Sequence, residues 1–478
     1  MKSNKLPSVK LLAAALALAC GAVGTAQAAA TIVINNLNAP GVGFNDATPA
    51  APVGGNTGTT LGQQRLIAFT HAANIWGATL TSAVPIVINA QFTPLACTAT
   101  GAVLGSAGAT QVFADFPGAP KAGTLYSYAL ANKLYGSEIS DAPGAQINAR
   151  FNSELGKPNC LAGSAFYFGL DGNEGNNIDF VATLLHEMGH GLGFQTFTDG
   201  ASGAQFAGYP SVWDHNLLDN TTNKLWINMT NAERAASSLK PAGLSWTGAR
   251  VTAAVPSVLS PTPQLRIVGA GATSPAGDLF AVGLADFGPK LDKSPVTGQI
   301  AKVALQADSP GSACTPFNEA NTAAVRRNIA LVSRGTCGFA VKVKNAQNAG
   351  AIGVIVADNA PGPVAGMGGA DPTITIPALR VTQADGALIA ASLTKPNGNT
   401  NGTVGKFELS KTSVAGADAQ RRITMFTPDP YQPGSSVSHY NTSAARNQLM
   451  EPAISADLTH SVTAPIDLTF ELLKDIGW

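Results

Sequence analysis

His186, Glu187 and His190 are the residues of this chain whose types and spacing could do chemistry. They stand in the run Leu184-Leu185-His186-Glu187-Met188-Gly189-His190-Gly191-Leu192-Gly193-Phe194. The pattern is H-E-x-x-H, and the apolar stretch 178–185 leading into it predicts a helix. A helix turns about 100° per residue, so histidines four apart share one face, about 6 Å apart along the axis, and both imidazoles can grip one metal ion. Glu187 sits one position round, where it can reach a water on that ion without being a ligand, the arrangement that zinc-assisted hydrolysis of an amide requires. The chain has only six histidines, so chance seldom sets two of them around a glutamate at this spacing.

A zinc site needs a third protein ligand. Gly193 extends the pattern to H-E-x-x-H-x-x-G, and a glycine there can leave the helix through a positive φ. This extended pattern resembles the metzincin metallopeptidases. Their usual third histidine lies three residues beyond the glycine, where this chain has Thr196. Asp199, Asp214 and His215 are nearby candidates for the missing ligand. Glu233, in a predicted helix over 230–239, is another and would make the site thermolysin-like, although such sites do not need Gly193.

Periodicity gives the elements that must position these residues. Residues 31–35 read as a short strand, 41–60 as a glycine- and proline-rich loop, and 61–79 as a helix with Leu66, Ile67, Phe69, Ile75 and Trp76 on an apolar stripe. Residues 84–92 and 145–152 read as strands, the second alternating Ile147, Ala149 and Phe151. Helix, strands and then the histidine-bearing helix make an α+β order suited to the upper lobe of a peptidase. Loop 170–177 holds oxygen donors that could take calcium, but its spacing is not that of an EF-hand and a solvated turn is favoured. His71 reads as structural, and His460 as a packing or surface residue rather than a transition-state group. The tail 468–478 has a helical period.

At 478 residues the chain has room for two or three domains. Residues 1–28 look like a signal peptide: Lys2, Lys5 and Lys10 precede an apolar run over 11–19, and Ala26-Gln27-Ala28 has the form of a cleavage site. Cys20 raises a lipoprotein reading that Ala17 and the small residues beyond it disfavour. Removal of those residues leaves 26 basic against 29 acidic side chains, about −3, which implies no nucleic-acid or anionic-membrane partner. No later apolar run reaches membrane-spanning length. Low charge content (12%) with 51 glycines and 30 prolines suits a loop-rich secreted protein, extracellular or periplasmic. The four remaining cysteines favour disulfides in an exported chain, and pairing Cys97 with Cys160 and Cys314 with Cys337 keeps each bridge within one candidate domain.

Residues 265–409 read as a separate unit. The segment 329–356 follows a strand, turn, helix, strand order, each strand a continuous apolar run of the kind covered on both faces. By Arg334-Gly335-Thr336-Cys337-Gly338-Phe339 (R-G-x-C-x-F) and the N-A-x-x-A-G-A-x-G-V-I run from Asn345, it closely resembles the protease-associated (PA) domain. That resemblance implies a non-catalytic, β-rich α/β module of peptidases that restricts or positions substrates, with a bare spacer as the alternative. Beyond it, Ser438-His439-Tyr440-Asn441 and Asn447-Gln448-Leu449-Met450-Glu451-Pro452 resemble leishmanolysin-type metzincins. In that family an inserted segment precedes a histidine followed by an aromatic residue, and an N-x-L-M-x-P stretch places a methionine beneath the zinc. The resemblance implies His439 as third ligand and Met450 as the Met-turn residue, with Tyr440 where the family tends to have tryptophan.

The expectation is an α+β metzincin-like catalytic domain, discontinuous over 29–264 and 410–478, with the PA domain inserted at 265–409 between the second and third ligands. It would be a secreted zinc-dependent endopeptidase acting on protein or peptide substrates. One catalytic zinc would sit on His186, His190 and His439, with Glu187 as general base. The rivals are a thermolysin-like site completed by Glu233 and a non-catalytic secreted binding protein that keeps the helix as scaffold.

Overall fold

The computed structural model of the chain describes residues 29–274, 277–292, 294–306, 309–393 and 401–478. The expected signal peptide over 1–28, Cys20 included, lies outside the described residues. The chain divides into two units, one made of residues up to Val258 together with Arg422–Trp478, the other of Leu259–Arg421. Both mix helix and sheet, and among the described residues no helix is long and apolar enough to cross a membrane.

The frame of the first unit is β1 (Ile32–Asn36), α1 (Leu61–Thr79), β2 (Ile86–Thr93), β3 (Gly105–Ala109), β4 (Ile147–Asn152) and α2 (Phe180–Leu192). The sheet order is β1-β2-β4-β3, parallel except for β3, which runs antiparallel at the edge. Alternation sorts the faces. Ile86, Ile88, Ala90 and Phe92 of β2, with Ile147, Ala149 and Phe151 of β4, are buried on one side. On the other, Asn35, Asn89 and Asn148 hydrogen-bond in a row at 2.7 and 3.0 Å.

Thr60 caps α1 by accepting the Gln63 N–H, and the helix buries Phe69, Ala72, Ala73 and Trp76. The Trp76 indole donates to the Leu185 carbonyl at 3.1 Å, tying α1 to α2. Every residue of α2 is buried, which is why its sequence is apolar nearly all round rather than striped. Gly191 lets α2 close on the sheet, since a Cβ there would lie 2.4 Å from Ile147 Cγ2. Phe180 sits among Phe92, Phe151, Phe166 and Phe168 at ring distances of 5.4, 5.2, 4.9 and 5.3 Å; a fully buried ring of this kind contributes about 1.5–3 kcal/mol. The helix starts at Phe180 rather than at 178, because Ile178 and Asp179 pair with Phe166 and Tyr167 as a short parallel strand and the Asp179 carboxylate caps Ala182 N–H at 3.0 Å. Cys97 and Cys160 form a disulfide in this unit.

The second unit contains β5 (Pro261–Gly269), β6 (Asp278–Ala281), β7 (Val296–Lys302), β8 (Ile329–Ser333), α3 (Phe339–Asn348), β9 (Gly353–Ala357), β10 (Ala378–Val381), α4 (Gln383–Ser392) and β11 (Thr403–Val414). Its sheet runs β6-β5-β11-β7-β8-β9-β10, with Gly283–Leu284 at the far edge. Strands β7 to β10 are parallel, and β5, β6 and β11 join antiparallel. The apolar runs of β8 and β9 are covered on both faces: Ala330, Val332, Val354 and Val356 enter one core, Ile329, Leu331 and Ile355 the other. Cys314 and Cys337 form the second disulfide. The unit starts at Leu259 and ends at Arg421, wider than the expected 265–409. The reason is pairing: β5 and β11 run together from Gly269 opposite Thr403 to Pro261 opposite Val414, so limits drawn from composition cut through both strands.

Candidate metal centre

His186 and His190 lie one turn apart on α2, and the chain leaves that helix at Gly193 in the left-handed region, φ +119°. His439 comes from the segment after Arg422. The three Nε2 atoms stand 3.1, 3.1 and 3.2 Å from one another. Each Nδ1 faces a backbone carbonyl: Leu449 at 2.7 Å for His186, Phe194 at 2.7 Å for His190 and Ser435 at 2.8 Å for His439. A carbonyl can only accept, so each Nδ1 carries the ring proton and each Nε2 presents a lone pair. Three lone pairs this close, with no proton among them, repel unless a cation lies between. Nitrogens at about 2.0–2.1 Å from one tetrahedral zinc would be about 3.3 Å apart, so the donor set fits that ion. Burial holds the rings neutral, lowering His186 to about 4 and His190 to about 3 and taking His439 well below its ordinary value, with neighbouring rings adding to the effect on His190 and His439. Among the described residues, this is the group of three or more His, Cys, Asp or Glu side chains that could share an ion.

Glu187 points from α2 toward the edge strand β3. Burial pushes its carboxyl up to about 8, against the lowering effect of a hydrogen bond from the Ala107 N–H. Gly105 leaves the carboxylate its space, because a Cβ there would lie 2.8 Å from Oε1. Met450 is fully buried beneath the helix, and a Cβ on Gly189 would come within 2.9 Å of its Sδ. The turn that carries it is fixed by Asp467, whose carboxylate accepts the N–H groups of Leu449 and Thr469, both at 2.7 Å. Glu187 and the three histidines open on a cleft of about 750 Å³, lined also by Val103, Leu161, Tyr431, Pro452 and Ile454.

The other candidates lie elsewhere. Glu233 closes a capping box with Thr230 and pairs with Lys224 at 2.6 Å; this exposed cap corrects the thermolysin-like alternative, since a carboxylate engaged there does not complete the histidine pair. Asp199 accepts from Ala201 N–H and the Ser202 hydroxyl in an exposed turn. His215 Nε2 is 3.0 Å from the Thr124 hydroxyl. Asp214 is fully buried and accepts from the Thr196 and Thr198 hydroxyls. His460 meets Asp179 at 2.7 Å, beside His71 at a ring distance of 6.0 Å. In the loop considered for calcium, Asp171 accepts from the Tyr167 hydroxyl and Asn173 N–H, and no group of three His, Cys, Asp or Glu side chains that could share an ion forms there among the described residues.

Residues 296–389 match the PA domain. A human protein, ER degradation-enhancing alpha-mannosidase-like protein 3, is 36% identical over 121 residues, which is 23% of this chain and 12% of that protein. Its Xenopus laevis counterpart is 34% identical over 122 residues, 23% of this chain and 13% of that one. This chain therefore spans only about an eighth of the length of these relatives. Among solved structures, the zinc aminopeptidase BSAP from Bacillus subtilis has a TM-score of 0.22 at 19% identity, covering 34% of this chain and 36% of that one. An aminopeptidase from Aneurinibacillus sp. strain AM-1 has a TM-score of 0.22 at 20% identity, covering 34% and 38%. Likenesses this slight carry nothing about the fold or the histidines.

Within the PA domain, the residues that identify it hold structure together. Cys337 bonds to Cys314, and Phe339 lies under the guanidinium groups of Arg334 and Arg380 at 5.9 and 5.5 Å. Asp358 pairs with both arginines. Lys342 is buried, its Nζ donating to the Ser312 and Gly335 carbonyls at 2.6 Å each, and burial lowers it to about 8. In the first unit, the residues that sequence reasoning missed are Gly105 and Ala107 beside Glu187. The stretch containing them is small and unpatterned, so nothing in it signalled an edge strand.

Proposed function

We propose that the chain is an exported zinc-dependent endopeptidase of metzincin type, resembling leishmanolysin, that hydrolyses internal peptide bonds of protein or peptide substrates. The observation that carries the reading is the convergence of three Nε2 lone pairs beside a buried glutamate at a cleft. His186, His190 and His439 hold the ion, each oriented by the carbonyl on its Nδ1. The chemistry zinc supplies when bound is Lewis acidity, polarising a carbonyl oxygen and making water acidic near neutrality. A cation held by the three histidines would favour the ionised form of the Glu187 carboxyl against the burial that raises it; as the carboxylate, Glu187 accepts the proton of the attacking water and hands it to the leaving amine nitrogen. The Ala107 N–H holds that carboxylate at the edge of β3, and Met450 supplies an apolar floor without taking part in proton transfer. The PA domain acts as an accessory to substrate handling. Export is supported by the signal-like start of the sequence and by two disulfides, which persist in oxidising compartments.

The test is Glu187→Gln in the full chain. Zinc should remain bound at one ion per chain while hydrolysis of an unfolded protein falls by roughly 10²–10⁴-fold, the usual worth of a positioned general base. Retained hydrolysis with zinc in place refutes the mechanism.

A further inference from the structure

We infer that Thr196 and Asp214 are positioning residues for His439, acting through Ser438; the inference rests on the reading of His439 as a metal ligand. Thr196 occupies the place, six residues after His190, where the compact metzincin pattern has its third histidine. Its hydroxyl donates to Asp214 Oδ1 at 2.6 Å and accepts the Thr198 N–H at 2.9 Å. The Thr198 hydroxyl and the Ser211 N–H occupy Asp214 Oδ2 at 2.7 and 2.8 Å. Asp214 is 0% exposed. A carboxylate so buried is costly to strip of its donors, so the turn bearing Thr196 is held in one conformation.

That turn reaches the segment of the third ligand through a contact with consequence for the ion, beside the packing of Phe194 on Tyr440 at a ring distance of 5.0 Å. The backbone N–H of Thr196 donates to Ser438 Oγ at 3.2 Å, and Ser438 directly precedes His439. The imidazole itself is aimed by the Ser435 carbonyl, and its backbone is held within its own segment by the bond from Phe426 N–H to the His439 carbonyl at 2.9 Å. Those two contacts say nothing about where the segment lies relative to α2. The Ser438 contact does, because Thr196 follows α2 by four residues and so refers the third ligand to the helix that carries the other two. The residue standing where the histidine would be has become the brace for the histidine that replaces it.

The experiment measures zinc affinity of the full chain by competition with a chromophoric chelator. Alongside it go the visible absorption of the cobalt(II)-substituted protein and the melting temperature of the metal-free protein. Thr196→Val removes the hydroxyl, Ser438→Ala removes the acceptor, and Thr196→Ser keeps the hydroxyl. The two disabling variants should each weaken zinc by roughly tenfold, the low end of what loss of an outer-shell partner costs. Their combination should be no weaker than the worse of them, because both cut the same chain of contacts. Thr196→Ser should bind like the parent, and the cobalt spectrum should shift only in the disabling variants. Wild-type zinc affinity in both, whether or not the melting temperature falls, overturns the brace while His439→Ala still weakens zinc. If His439→Ala itself leaves zinc affinity unchanged, the reading beneath the inference fails instead.

Discussion

Replacing Gly105 with alanine tests whether Glu187 is placed to move a proton. The new Cβ would lie 2.8 Å from Glu187 Oε1, 2.9 Å from Cγ and 3.0 Å from Cδ, where ordinary contact begins near 3.4 Å. Gly105 has no positive φ, so alanine strains no dihedral there. The atoms in the way end a flexible side chain, so the carboxylate moves and the strand stays. The shift needed is about 0.6 Å, the difference between 2.8 and 3.4 Å. A misplacement of 1 Å at a reacting group can cost about a hundredfold, so kcat/KM should fall about tenfold, equivalent to about 1.4 kcal/mol. Initial rates on an unfolded protein, zinc content and melting temperature are the readouts, and the last two should stay at parental values. In the Glu187→Gln background the same change should add nothing, since both act at one carboxyl. Undiminished kcat/KM in the zinc-loaded alanine variant would refute the placement of the base at β3.

His439→Ala should strip zinc or weaken it by orders of magnitude in a metal-content assay, whereas Glu233→Ala, which loses only an exposed capping box, should keep full zinc content. Burial raises the Glu451 carboxyl to about 7. Between the unfolded value near 4.5 and that value the folded chain binds more protons than the unfolded one, so stability falls as pH rises through this window. Glu451→Gln keeps an oxygen to accept the Gln448 N–H, which Glu451 Oε1 accepts at 2.8 Å. It should therefore raise the melting temperature at pH 8, by no more than about 3 kcal/mol of stability, and change little at pH 4.5. Equal effects at both pH values would refute the assignment of the cost to an ionised, buried carboxyl.

The part of the site carried by α2 is legible in the sequence because it is local: two histidines and a glutamate within five positions of one helix need only the helical period to be brought together. His439 is different. Nothing in periodicity says that a segment 249 residues beyond His190 returns to it, and only the likeness of the stretch around Met450 to a known family pointed there. Gly105 was invisible for another reason. Its role comes from β3 pairing with β4, Gly105 opposite Phe151, and a run of glycine, alanine and serine has no alternation to reveal a strand. Asp214 shows the limit of reading chemistry from residue type. A carboxylate close in sequence to a metal-binding helix suits a ligand and a buried acceptor equally well, and only the positions of Thr196, Thr198 and Ser211 decide between them. The PA domain was legible in its apolar strands and its R-G-x-C-x-F run, while its limits were not, because β5 and β11 find each other across the whole unit.

The length of chain between the second and third histidines looks like an obstacle to a precise site, and its entropic cost can be bounded. Closing a flexible loop of 249 residues rather than the 6 of the compact pattern would cost about 3 kcal/mol more. The intervening chain is not a flexible loop, however. It contains a folded unit whose first and last strands pair antiparallel, with Pro261 opposite Val414 and the Ala415 N–H donating to the Ser260 carbonyl at 2.9 Å. Its ends are therefore already together before any metal is bound, and the entropy of joining them is met by the cores around its own sheet. For the segments on either side, the insert acts as a short, stiff connection. The geometry at His439 then depends on the contacts within the first unit, the Leu449 carbonyl on His186 and the Thr196 N–H on Ser438, and is indifferent to how many residues the second unit contains.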